Sequence, residues 1–310
     1  MSKFTNARIV GSNMTRDRYP NGGLPRGDAK LSISQSDLKI ISSNSHKWRF
    51  GPEQEDTDAT RFGALLDCVL LTPDQFAGRY AVIPETYHDE KTGAEKPWTF
   101  AANICKAWRE QHEGKDHVKT AEMGDAQRAV EVLKADPDIF ALLTGAQCQV
   151  LITADFMAEN GVIVPVAGLI DVVPAGGPCL ADVKTAADGS AGGWARQVFS
   201  RGMHVQAAFY LDLWNAANPD DQRSEFRHIV VENETPFEVG RRLLDAEFIT
   251  LGRDHYEHAL EKYARCLKSG NWPTFDLAGE WTLTSAEPWM LMRQGKEKLR
   301  DQYAELTGEK

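Results

Sequence analysis

The sequence predicts a mixed α/β (α+β) protein built as one elaborated domain, and three observations carry that expectation. Three strand-like segments joined by short turns occupy residues 147–185, and segments of helical periodicity precede and follow them. The composition, 42% apolar and 26% charged over 310 residues, is that of an ordinary globular chain able to bury a substantial core.

Taken in order, residues 1–30 are rich in Gly, Asn, Arg and Pro, as in Tyr19-Pro-Asn-Gly-Gly-Leu-Pro-Arg-Gly27, and show no sustained periodicity. They read as an extended or partly disordered arm. Ser34-Gln-Ser-Asp37 ahead of Leu38, Ile40 and Ile41 is a helix start, and Thr57 to Leu71 is a clearer amphipathic helix stopped by Pro73. Arg79 to Ile83 reads as a short strand. Residues 99–112 and 118–134 read as helices, and Asp136-Pro-Asp opens a further short one through Leu143. Gln147 to Phe156 alternates loosely and is predicted to pair antiparallel with the apolar run Val162 to Val173 through the turn Glu159-Asn-Gly161. Ala175-Gly-Gly-Pro178 then turns the chain into Leu180-Ala-Asp182-Val-Lys184-Thr185, which completes a meander. From Ala191 to Ala217 the pattern is helical, Phe226 to Glu232 reads as a strand, and residues 237–268 contain a long helix ended by Gly270. The core domain is placed at residues 31–275, with a C-terminal helical tail at 276–310.

Several classes of function are disfavoured by composition. No apolar stretch approaches the ~20 residues of a membrane span, and Met1-Ser-Lys-Phe-Thr lacks the apolar run of a secretion signal, so a cytoplasmic location without membrane attachment is expected. The five cysteines are widely spaced and form no C-x-x-C pair, which favours neither disulfides nor zinc nor an iron–sulfur cluster. A formal charge of −10 argues against coating nucleic acid by bulk electrostatics but leaves room for a local basic groove. With no G-x-x-x-x-G-K-[ST] sequence, ATP-driven unwinding is not expected.

The residues that carry chemistry lie in the meander and the helix after it. Side chains two apart on a strand share a face, so Asp182 and Lys184 stand side by side, roughly 7 Å apart along the chain. Pairing of the two strands brings Asp171, at the end of its apolar run, near Asp182. Two carboxylates can fix a Mg2+ ion beside a phosphodiester, and an adjacent ammonium can orient or deprotonate the attacking water or stabilise developing charge. Gln206 and Tyr210, four apart on a helix, share a face that turns either toward DNA or toward the metal site. A plainer reading stands beside this one. An Asp-x-Lys pair is commonly a solvated ion pair, and the tyrosine would then pack in the core with the glutamine at its edge.

In their order, Gly168-x-x-Asp171, Asp182-x-Lys184-Thr185 and Gln206-x-x-x-Tyr210 resemble the RecB-like branch of the PD-(D/E)XK nucleases, and most closely the RecE-type exonucleases of the exodeoxyribonuclease VIII group. The likeness extends to Leu31-Ser-Ile-Ser34, to Phe62 through Pro73 and to Cys266 through Pro273. It implies a mixed central β-sheet flanked by helices, dependence on Mg2+ (with Mn2+ able to substitute), and degradation of one strand of linear double-stranded DNA from its end for recombination or repair, in a phage or prophage setting. Asp171 and Asp182 would be metal ligands, Lys184 the catalytic lysine, and Gln206 and Tyr210 the helix motif that supports site and substrate. The resemblance also implies double-stranded DNA ends as the partner, a single-strand annealing protein, and a ring-like homo-oligomer, trimer or tetramer. One position departs from the pattern: where the family carries histidine at the end of Gly-x-x-x-His, this chain has Asp67. A carboxylate there either preserves metal ligation, with Asp67 as a third ligand, or marks a weakened site. Two further readings remain open, a DNA-binding recombination accessory that has lost turnover, and an endonuclease or single-strand nuclease of a defence system.

Overall fold

The computed structural model describes residues 3–53, 56–275, 281, 283–286 and 292–298. The first part of the chain forms β1 (Phe4–Gly11), α1 (Gln35–Ser43), α2 (Ser45–Phe50), α3 (Asp58–Leu71), α4 (Phe76–Arg79), β2 (Tyr80–Ile83), β3 (Thr86–Asp89) and β4 (Ala94–Pro97). These are followed by α5 (Asn103–Gln111), β5 (Asp116–Lys119), α6 (Thr120–Ala135), α7 (Pro137–Leu143), β6 (Gln147–Met157), β7 (Ile163–Val173) and β8 (Cys179–Ala186). Last come α8 (Ala191–Ser200), α9 (Met203–Ala217), β9 (Glu225–Glu232), β10 (Val239–Leu243) and α10 (Ala246–Ser269).

The central sheet runs in the order β1-β6-β7-β8-β9-β10. Neighbours pair antiparallel except β8 and β9, which are parallel because the chain between them crosses over through α8 and α9. Helices cover both faces. Val150, Ile152 and Phe156 of β6 and Val164 and Val166 of β7 pack with α1, α9 and α10, whereas Val172, Ala181, Val183 and Ile229 pack with Leu66 and Leu70 of α3, Leu133 of α6 and Ile139 of α7. With both faces covered, β7 reads as an almost unbroken apolar run. Two small sheets, β2 parallel with β5 and the β3–β4 hairpin, lie outside the central one.

Most of the expected elements are present, and the departures have physical causes. Within residues 1–30, read as an extended or partly disordered arm, Phe4–Gly11 form a paired strand. Phe4 pairs opposite Phe156 as part of an antiparallel edge strand, and its buried ring stacks on Tyr256 at 5.8 Å. One anchored aromatic holds the strand while most of its other side chains face water, so no periodicity betrays it. The helical run expected over 191–217 breaks into α8 and α9 at Gly202, whose φ of +63° suits glycine. The helix expected within 237–268 begins only at Ala246, where the Asp245 side chain accepts from Phe248 N at 2.8 Å; the residues before it pair with β9 as β10. The start at Ser34 is a full capping box with Asp37. Of the tail expected at 276–310, residues 292–298 are helical and the remainder lies largely outside the described residues, as does Trp289. The chain divides into two units, Met1–Pro273 and Thr274–Lys310.

The approach of α9 to β7 depends on Gly168. A Cβ built there would lie 2.8 Å from Leu213 Cδ1 and 3.1 Å from Tyr210 Cε1, closer than packed carbons tolerate. Gly168→Ala is expected to destabilise the fold by about 1–3 kcal/mol, the cost of overpacking, read as a lowered midpoint in denaturant without a change in slope.

Candidate active site

On β8, Leu180 packs with the α9 side of the core while Ala181 and Val183 pack beneath α3, so the strand alternates between the faces. Asp182 falls on the α9 side. Gln206 on α9 donates from Nε2 to Asp182 Oδ1 at 2.8 Å. Lys184, next on the same face, sets Nζ in ion-pair contact with Asp182 Oδ2 and donates to the Val183 carbonyl at 3.4 Å. The Asp182 side chain is 1% exposed and that of Lys184 25%, so the lysine is the more exposed member of the pair.

Asp171 arrives from β7. The pairing of β7 with β8 is reduced to Val172 opposite Ala181. One step further, the Val183 N–H donates to Asp171 Oδ2 at 3.2 Å rather than to a strand carbonyl. The strands thus part where the acid enters, and its carboxyl group comes within hydrogen-bonding reach of Asp182. Gln149 on β6 adds a second support by donating to Asp171 Oδ1 at 3.4 Å. Its φ of +48° places it in the left-handed region, a strain of order 1–3 kcal/mol for a residue with a side chain. Nothing in the letters distinguishes Gln149 from an ordinary strand residue, and it was not anticipated.

Charge and burial push the two acids apart. Burial raises the Asp171 carboxyl well above the usual carboxylate range, and the charges of Asp182 and Asp67 raise it further against the opposing pull of Lys184. Burial also acts to raise Asp182 and is the largest single influence, but the Lys184 ammonium, His228 and the contact with Asp171 together outweigh it and leave Asp182 below its ordinary value. For Lys184, burial pulls down, and the carboxylates of Asp182 and Asp171 override it to hold the amine above its usual range. At neutral pH Asp182 is therefore a carboxylate and Lys184 an ammonium, and Asp171 is the acid that keeps its proton to the higher pH.

Tyr210, Asp67 and the rings around the site take different places. Tyr210 is buried in the core, against the site of Gly168 and near Phe226, so its ring supports α9 by packing. His204 faces away, contacting the Val198 carbonyl and His255. Trp194 and Trp272 are packing residues, Trp194 buried and Trp272 stacked on Trp48 at 5.6 Å. Asp67 lies half-buried one turn beyond Gly63 on α3, and its charge acts on Asp171 and Lys184. A residue outside the motifs, His228 on β9, sits across from Asp182, and burial pulls its imidazole down to about 4.

Among the described residues no group of three or more His, Cys, Asp or Glu is gathered as a metal cage. Asp171 and Asp182 nevertheless suit a divalent cation, because two buried carboxyl groups in contact must share a proton unless a cation neutralises them.

A mixed sheet clad by helices on both faces, with Asp171 entering at a parting of strands beside Asp182-x-Lys184, defines a nuclease fold of the PD-(D/E)XK class. The chain belongs to the family described as a PDDEXK-like domain of unknown function (DUF3799), whose model matches residues 31–281. No curated protein sequence matches it. Among solved structures it is similar to a candidate exonuclease from Eubacterium rectale, with a TM-score of 0.54 and 14% identity over 91% of this chain and 98% of that one. A phage-related exonuclease from Haemophilus somnus 129PT is similar over 78% of this chain and 97% of that one, with a TM-score of 0.33 and 12% identity. The family match, with the fold shared with the first of these, bears out the resemblance to RecE-like PD-(D/E)XK nucleases read from the motifs. Among the described residues no helix is long and apolar enough to cross a membrane.

A cation that binds both acids competes with a proton for Asp171, whose carboxyl is held above its ordinary range. Affinity for Mn2+ is therefore expected to rise with pH, from the ordinary carboxylate range up to the elevated value of Asp171, with protons released on binding. Calorimetric titration in buffers of different ionisation enthalpy measures that release, and Asp171→Asn should abolish it.

Proposed function

We propose that this chain is a Mg2+-dependent exodeoxyribonuclease that degrades one strand of linear double-stranded DNA from its end. The observation that carries the reading is the buried contact of Asp171 with Asp182, flanked by Lys184 and held by Gln206, within a PD-(D/E)XK fold. Asp171 and Asp182 would hold the cation, and Asp67 stands as a further ligand on α3. When bound, the cation supplies charge neutralisation at the phosphoryl oxygens and a more acidic bound water. The surrounding charges keep Lys184 protonated at neutral pH, which supports a role in orienting water and stabilising charge over one as the base. Gln206 keeps Asp182 in place, and Tyr210 sets the depth at which α9 lies on β7.

Mn2+ would substitute for Mg2+, since both take oxygen ligands. A ring-like trimer or tetramer and a single-strand annealing partner belong to the same proposal and rest on the motif resemblance. So does a role in recombination or repair on DNA of phage or prophage origin. The change from histidine to Asp67, together with the lack of a gathered metal cage among the described residues, favours one second reading: an accessory that binds DNA ends and has lost turnover.

End-labelled linear duplex with Mg2+ separates these readings. Nucleotide release from the linear substrate, none from a closed circle, and inhibition by EDTA are expected. Asp182→Asn and Lys184→Met should each lower the rate by about 10²-fold or more, the size of losing one electrostatic element of a hydrolytic site. End binding without release in Mg2+ or Mn2+ would leave the accessory reading standing, and cutting of the circle would convert the assignment to an endonuclease.

A further inference from the structure

His228 lies outside every motif of the site, yet it is the Cα partner of Asp182 across the parallel β8–β9 ladder and is 1% exposed. Trp194 on α8 donates from Nε1 to His228 Nδ1 at 3.3 Å, with the two rings edge-on at 73° and 5.4 Å between centroids. Phe226 closes on the same imidazole from the same strand, edge-on at 5.4 Å. A ring nitrogen that accepts a hydrogen bond bears a lone pair, so the proton of the neutral imidazole resides on Nε2. The tautomer is thus set by the tryptophan. Nε2 is buried and has no hydrogen-bond partner among the described residues. Asp182 Oδ2 is buried in ion-pair contact with Lys184, while Oδ1 is taken by Gln206. Buried polar atoms are almost always bonded, and here an unbonded donor stands on the residue paired with Asp182 across adjacent strands.

We propose that His228 is a positioning residue for the Asp182 carboxylate, presenting the Nε2–H fixed by Trp194 so that Asp182 is oriented from β9 as well as from α9. The proposal rests on the reading of Asp171 and Asp182 as ligands of a divalent cation. Gln206 restrains one oxygen, which leaves the carboxylate free to turn about that contact. A second donor removes the freedom and supports the group when a cation, rather than Lys184, claims its lone pairs. A histidine kept only to fill space would need neither the donation from Trp194 nor an unbonded N–H beside an acid.

Mn2+ binding to the full chain, measured by calorimetry beside thermal melts, tests this in wild type, His228→Leu and His228→Gln. His228→Leu should weaken Mn2+ by about tenfold, the usual scale for losing a partner that orients a metal ligand. His228→Gln can accept from Trp194 and donate toward Asp182 together, and should stay within about threefold of wild type. Leucine binding as tightly as wild type, or glutamine failing as badly as leucine, overturns the proposal. Wild type that binds no Mn2+ instead sinks the cation reading beneath it. If His228→Leu does not fold, 15N spectra of the imidazoles decide. The Nε2–H tautomer is expected for His228, with its Nε2 resonance shifted in Asp182→Asn; an Nδ1–H tautomer, or a resonance indifferent to Asp182, refutes the assignment.

Discussion

Two acids forced into contact in a place water scarcely reaches are the constraint on which this structure depends. Asp171 and Asp182 could not both be charged there without help, and the local architecture supplies it in three forms. Asp171 is pushed toward its protonated form, Lys184 neutralises Asp182, and donors from β6, β8 and α9 take up carboxyl oxygens. Such an arrangement contributes little to stability, because the desolvation of the charges offsets their attraction. Its persistence is better explained by what it can bind.

The scaffold is shaped to allow that contact. The β7–β8 ladder stops short so that a side chain can insert between the strands, and the strained backbone of Gln149 faces the gap. Without a side chain at Gly168, α9 settles low enough for Gln206 to reach Asp182. The crossover through α8 and α9 makes β9 parallel to β8, which brings His228 beside Asp182 and Trp194 over His228. Helix depth, strand register and crossover therefore converge on one carboxylate.

Much of this was legible in the residues, for reasons that separate readable features from hidden ones. The apolar run of β7, the turns on either side of it and the period-two spacing of Asp182 and Lys184 are local signals, and local signals fixed the meander and its acids. The capping box at Ser34 was equally local. What escaped was set by distant contacts. β1 is held by one buried phenylalanine, and β10 is a strand because an edge of β9 was open to it, although its sequence, Val239-Gly-Arg-Arg-Leu, has no strand alternation. Gln149 and His228 are ordinary letters in their strands and acquire meaning only from what the sheet sets opposite them. Tyr210 was visible as a motif member, but only the packing shows that it works through its bulk.

The edge position of β1 bears on how the chain comes to be folded. Its hydrogen bonds join residues about 150 positions apart, as between Thr5 and Asp155, so β1 waits for the later synthesis of β6 before it can dock. At ordinary rates of synthesis that delay is about 8–30 s. During it the segment offers an open main chain and its Phe4 ring to whatever else is nascent, and closure of so long a loop belongs among the late and slow steps of assembly. The sheet that carries the acids is thus completed at its outer border by a strand made long before its partner.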